Sequence, residues 1–412
     1  MHDLVLKRAR VLGTSATVDL GLAGGRIVAI AGSLSGRQVF DVDGRLVLPG
    51  FVDSHVHLDK AFLWDSPLVH GRRGPEVFPA LRTFKAQARK AEVRDRMQRT
   101  LEQAARSGTT AMRAQVDVDD VIGLIGLEVA MELRQAWADR LRLQVVAFPQ
   151  EGLVGRPGLM PLLRQALAMG AEAVGGGPMF DSVAPAEHLA AIFDLAREFD
   201  CDVDLHVDLN TPASCPPEEW EVTEVARRTR AIGWEGRVTV AHMRGLGAMA
   251  AEPLGRLLAT MQEAGINVTI VPGAELHTAR TWWDPPAREV SRAMTNLDAL
   301  IRAGITVSYS TGHARDPWNP RGAANMLLDA FLLAAAYNMG EPVIAGVPVL
   351  RLGTDLPWQA TRLPGPSALV VGREADLVVL NATDHDAAVR QPDEPFLIFK
   401  AAVAVGGSAR GA

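Results

Sequence analysis

The sequence predicts an α/β protein: a (β/α)8 TIM barrel with a small β-sandwich domain formed by its N- and C-terminal segments. Three observations carry that prediction. Eight β-like runs alternate with helical ones through the middle of the chain, the pattern of a parallel barrel. Both ends hold short alternating runs punctuated by Gly-Gly and Asp-Gly, the signature of hairpins. Histidines and other polar residues cluster where the central runs end, and a barrel keeps its chemistry at the C-terminal ends of its strands.

Taken in order, "DLVLKRARVL", "ATVDLGLAGGRIVAIAG" and "RQVFDVDGRLVLPG" fill the first 49 residues with alternating, β-branched segments. The barrel strands follow as "FVDSHVHL" (51–58), "TTAMRAQVDV" (109–118), "LRLQVVAFPQ" (141–150) and "EAVGGGPMF" (172–180). The second half supplies "DVDLHVDL" (202–209), "RVTVAHM" (237–243), "INVTIVPG" (266–273) and "ITVSYST" (305–311). Helical patterns such as "PAEHLAAIFDLAREFD" separate them, and Gly after several suits a helix C-cap. "SALVVGREADLVVLNA" and "FLIFKAAVAVGG" return to β character. The division is therefore 50–345 for the barrel, with 1–49 and 346–412 pairing into the β-domain.

Composition narrows the function. The 412 residues are 48% hydrophobic and 22% charged, with net charge −6. That is ample for a large core. It offers no basic footprint for nucleic acid and no polybasic membrane patch. No apolar run reaches spanning length, and the N-terminus lacks an apolar leader core. Two cysteines, Cys201 and Cys215, make no disulfide framework. The expected setting is a reducing cytoplasm, and the expected partner is a small molecule.

Six of the ten histidines fall at the expected rim: His55, His57, His206, His242, His277 and His313. In His55-Val56-His57 the two imidazoles are alternate residues of one strand, so they share a face. Two imidazoles on one face with a third from a neighbouring strand make a natural metal site. Alone, an H-x-H pair is more often just two polar residues; its place on the first barrel strand gives it weight.

"LVLPGFVDSHVHLDKAF" resembles the first-strand motif of the amidohydrolase superfamily. "VVAFPQEGL", "DLHVD", "TVAHM" and "RDPWNPRGAANML" look like its cytosine deaminase branch, which also holds enzymes that strip alkylamines from s-triazine rings. The resemblance implies one divalent metal ion, zinc first with iron or manganese as alternatives, held by His55, His57 and His206. It implies that His242 orients the metal's water and that Gln150 binds the amide edge of a ring. It also implies a homo-oligomer, as is common among relatives.

Two carboxylates of that pattern are missing. The family has a Glu three residues after the fifth-strand His, where this chain has Leu209. Counting back from Asp316-Pro317-Trp318, the eighth-strand Asp position holds Gly312. A proton carrier must come from elsewhere, and His242, His313 and Asp208 are the catalytic candidates, His313 first. Gln150, His277 and Trp318 are read as substrate-binding. No Lys stands on the fourth strand, which argues against a bridged two-metal site. Trp282-Trp283 could stack on a planar ligand, and Gly175-Gly176-Gly177 could let a ligand approach the backbone. The expected function is metal-dependent hydrolysis of a C–N bond in a small cyclic or amide-like substrate. The rival is an inactive member of the same fold that only binds its ligand.

Overall fold

The computed structural model describes residues 2–281, 294–363, 365 and 368–411. Five strands open the chain: β1 (His2–Val11), β2 (Thr17–Ala23), β3 (Arg26–Ala31), β4 (Gly36–Asp41) and β5 (Leu46–Pro49). β1 is a branch point, antiparallel to β2 and parallel to β4 and β5.

Eight parallel strands then form the barrel. They are β6 (Phe51–His57), β7 (Thr109–Asp117), β8 (Arg142–Phe148) and β9 (Ala173–Gly176), then β10 (Asp202–His206), β11 (Val238–Ala241), β12 (Asn267–Ile270) and β13 (Val307–Tyr309). Each lies within a run that the sequence marks, and spatial order follows chain order. A bridge between Val56 and Gly312 closes the ring from β13 back to β6. There the His57 N–H donates to Gly312 O at 2.8 Å, and the Gly312 N–H donates to His55 O at 3.1 Å. Inside the ring, the hydroxyls of Ser54 and Thr269 each lie 2.9 Å from that of Ser308.

A short hairpin, β14 (Val343–Ile344) and β15 (Val347–Pro348), follows the last barrel helix. The helix Leu356–Thr361 then caps the N-terminal end of the barrel. Its Trp358 packs with Val52 and Ala111, and the Thr239 hydroxyl donates to Ala360 O at 3.1 Å. So the segment just past residue 345 touches barrel strands before pairing with the terminal sheet resumes at β16 (Leu377–Val379). β17 (Leu397–Lys400) and β18 (Val403–Gly406) complete that sheet. β16 lies antiparallel to β5, with Val378 opposite Leu48. The two chain ends thus share one eight-stranded sheet over its own core of Leu6, Leu20, Leu22, Leu377 and Phe399. Among the described residues no helix is long and apolar enough to cross a membrane.

One buried acid bears on pH behaviour. Asp329, in the helix Met326–Ala336, is buried, and its Oδ1 has no hydrogen-bond partner among the described residues. Burial, with the charge of Asp53 adding to it, holds its carboxyl well above the usual range. The folded chain therefore keeps a proton that the unfolded chain gives up near pH ~4. Stability falls as pH climbs through that window. Asp329→Asn, which cannot ionise, is expected to gain stability relative to the native chain as pH rises. Urea denaturation at pH 5 and pH 8 checks this; an equal effect at both would count against it.

Candidate metal centre and active site

β6 ends with His55 and His57, β10 ends with His206, and His242 stands one residue past β11. Strand pleating aims the first three rings into the mouth of the barrel. His55 Nε2 lies 3.3 Å and His57 Nε2 3.0 Å from His206 Nε2. The ligand atoms of all three lie within 4.8 Å of one another. Zn–N bonds of about 2.0–2.1 Å at tetrahedral angles put nitrogens ~3.3 Å apart, so the cluster has the right size.

The protonation chemistry also fits. His55 donates its Nδ1 proton to Asp204 at 3.0 Å, which leaves Nε2 as a lone pair. Asp204 is held in turn by Arg113 at 3.1 Å, and these charges keep its carboxyl below the usual range despite burial. His57 and His206 are held well below the usual histidine pKa, chiefly by burial. Lys60 adds to the effect on His57, whose Nδ1 is 3.2 Å from the ammonium. Neutral rings are the form that binds a metal. Lys60 itself pairs with Asp117 at 2.5 Å and Asp59 at 3.3 Å, a structural role beneath the site.

His242 adopts φ +74°, a left-handed conformation rare outside glycine. That turn stacks its ring on His206, with centroids 4.5 Å apart. Its Nε2 is buried and has no hydrogen-bond partner among the described residues, and burial lowers its pKa well below normal.

His313 faces inward. It stacks on His57 at 4.8 Å on one side and on Trp318 at 5.4 Å on the other. Its Nδ1 donates to Asp316 Oδ2 at 2.7 Å, and the other carboxylate oxygen accepts from the Trp318 and Asn319 amides. Asp316 is therefore fixed, and it fixes the ring. Gln150 also faces the cleft, with a buried Oε1 that has no partner among the described residues.

These groups line one cleft with Phe78, Phe148, Met179, Phe180, Leu209 and Arg244. The room inside it for the centres of water-sized spheres is about 50 Å³, so the cleft is narrow.

Other sequence expectations meet different geometry. Asp208 does not face the cleft. Its φ of +55° turns the carboxylate toward the helix Glu221–Ile232, where it accepts from the amides of Glu221 (2.8 Å) and Val222 (3.0 Å). It is a remote helix cap, which accounts for the acid there without chemistry. Burial pushes its pKa up to about 6. His277 is half-buried on the helix Pro272–Thr281, near His313 and Asp316, while its neighbours Ala274 and Thr278 line the cleft. The triple glycine admits no ligand: a Cβ at Gly175, Gly176 or Gly177 would meet Phe148, His188 or Phe180. Trp282 and Trp283 lie outside the described residues.

Sequence reasoning missed Asp204 and Arg244. Asp204 had a signal, since it stands two residues before His206 on the same face of β10.

Gly312 is no vacancy awaiting a carboxylate. Its φ is +63°, it stitches β6 to the last strand, and a Cβ there would drive into Val271. Gly312→Asp is expected to cost about 1–3 kcal/mol by overpacking and to bring no gain in turnover. Thermal denaturation beside an activity assay checks both; a stable, more active variant would contradict this.

The amidohydrolase family matches residues 76–407. Among curated proteins, the chain is 26% identical over 411 residues to N-isopropylammelide isopropyl amidohydrolase of Pseudomonas sp. strain ADP, covering 97% of this chain and 96% of that one. Among solved structures, 5-methylcytosine deaminase from Klebsiella pneumoniae, liganded with 5-fluorocytosine, superposes with TM-score 0.86 at 26% identity, over 98% of this chain and 97% of that one. N-isopropylammelide isopropylaminohydrolase from Burkholderia multivorans gives TM-score 0.86 at 27% identity, over 99% of both chains. The family match covers most of the chain and the shape match nearly all of it, and the chain belongs to the amidohydrolase family.

Proposed function

We propose that this amidohydrolase cleaves a non-peptide C–N bond in a small cyclic or amide-like molecule, with one divalent ion held by His55, His57 and His206. Zinc is the first choice, since three imidazoles and an open position make a catalytic zinc site. Iron or manganese is the alternative. Such an ion would supply Lewis acidity and bring the pKa of water to about 7.

The chain's own groups do the rest. His242, neutral and with a bare Nε2, orients the attacking water. Gln150 presents its unpartnered Oε1 to an N–H of the substrate. Phe148, Phe180 and Trp318 form apolar walls for a planar ring. His313 carries the proton from water to the leaving nitrogen, and Asp316 holds its tautomer as the acid of a triad holds its histidine. Leu209, where relatives place a Glu, lines the cleft. It suits a leaving group that needs less protonation, or a substrate of another shape.

The observation that carries the reading is the inward His313, stacked on His57 and braced by Asp316. It supplies an acid–base group beside the three-histidine cluster where the usual carboxylates are absent. An inactive binder finds no support in the family or the fold. The test is a screen of cyclic amides, ureas and amino-substituted rings against metal-loaded protein, read by release of ammonia or amine. Release that depends on both His206 and His313 is expected. Release that persists in His206→Ala would contradict the metal reading.

A further inference from the structure

Among the described residues, no acid lines the cleft. Of the fourteen described residues that form it, four are histidines, seven are apolar, and the one fixed charge is the Arg244 guanidinium. Arg244 sits two residues past His242, and its amide donates to His242 O at 2.8 Å. Its Nη1 donates to the Thr278 hydroxyl at 2.7 Å, which aims the group along the cleft wall. Among the described residues no carboxylate lies within ion-pair distance of it. The nearest acid to act on it is Glu275, and that carboxylate is spent on the Thr295 amide and hydroxyl, at 3.0 Å each.

Arg244 is half-buried, and partial burial without a counter-ion disfavours the charged guanidinium. Among the described residues, fully buried cations are paired, as Arg113 with Asp204 and Lys85 with Asp117 and Asp119. Half-buried Arg244 lacks an acid partner among the described residues and, unlike other such arginines, lines the cleft. A guanidinium presents planar paired donors that match a carboxylate. The charge sum of the site points the same way. Three neutral imidazoles leave a divalent ion's charge uncompensated, and Leu209 and Gly312 stand where relatives carry acids.

We propose that Arg244 is a specificity residue that binds an anionic oxygen group of the substrate, a carboxylate first, so that the substrate class is an acidic cyclic or amide-like molecule. This deepens the hydrolase reading and rests on it. The anion supplies Arg244 with its missing partner and offsets the positive charge of the centre. A ring between the two, held by Phe148 and Phe180, brings its C–N bond to the histidines.

The test compares an isosteric pair, benzoate and benzamide, by calorimetry on metal-loaded protein. Benzoate is expected to bind at least about tenfold tighter than benzamide. Arg244→Gln should erase that preference, and Arg244→Lys should keep part of it. Metal content, read by elemental analysis, should be unchanged in both variants. The metal-free His206→Ala protein should still prefer benzoate, because Arg244 remains. Equal affinities in the native protein, no benzoate binding, or a preference that survives Arg244→Gln would each overturn the assignment. A preference that is lost in His206→Ala and kept in Arg244→Gln would place the anion on the metal instead, which also overturns it. Failure of the hydrolase reading is separate: it would show as absent metal or absent turnover, whichever ligand binds.

Discussion

Replacing His313 with alanine is expected to lower kcat by about 10²–10⁴-fold, the usual contribution of a positioned acid–base group, with metal content unchanged. The expectation rests on position. His313 is buried against His57, braced by Asp316 at 2.7 Å, and clamped by Trp318. Neither usual carboxylate stands nearby to take over the proton. Asp316→Asn separates chemistry from packing. The amide preserves shape and still accepts from the Trp318 and Asn319 amides, but its NH₂ can favour the wrong imidazole tautomer. A changed pH–rate profile with intact folding is expected for that variant. If His313→Ala turned over a true substrate at the native rate, the proton would travel by another route, with His242 the next residue to test.

The second large effect concerns the ligands. His206→Ala is expected to abolish metal retention and bring turnover to background. His206 is central, since its Nε2 is the atom that both other rings approach, at 3.0 and 3.3 Å. Removing it leaves two imidazoles, too few to hold a catalytic ion against competing water. Asp204→Asn makes a graded companion. Asp204 orients His55 through a 3.0 Å hydrogen bond without facing the metal position, and partners of that kind contribute about 10–100-fold in metal affinity. Competition with a chelator of known affinity reads both variants. Full metal in His206→Ala would remove that residue from the ligand set.

The barrel was legible because each strand is a short apolar run bounded by turn residues, and each return helix has its own apolar stripe. The grouping of three histidines was legible for a similar reason: residues two apart on a strand share a face, and strand five lies across the ring from strand one. What spacing does not encode is the direction a side chain takes once the strand ends. His242 and Asp208 each adopt a positive φ just past a strand. One turns into the cleft, and the other turns away to cap a helix. The two look alike in sequence, as polar residues at the rim. Gly312 is a further case. As a gap in a motif it reads as a lost acid, yet the fold uses its left-handed conformation to close the ring against Val271. Arg244 was silent because its proposed role rests on the lack of an acid partner among the described residues, which no local pattern reports.

Metal stoichiometry tests the three-histidine centre most directly. Protein purified without added metal or chelator would be assayed by elemental analysis beside His55→Ala and His206→Ala. About one equivalent of a divalent ion per chain, zinc foremost, is the expected content of a three-imidazole site, with both variants near background. A native protein that stays metal-free after reconstitution with Zn²⁺, Fe²⁺ and Mn²⁺, or variants that keep their full complement, would contradict it.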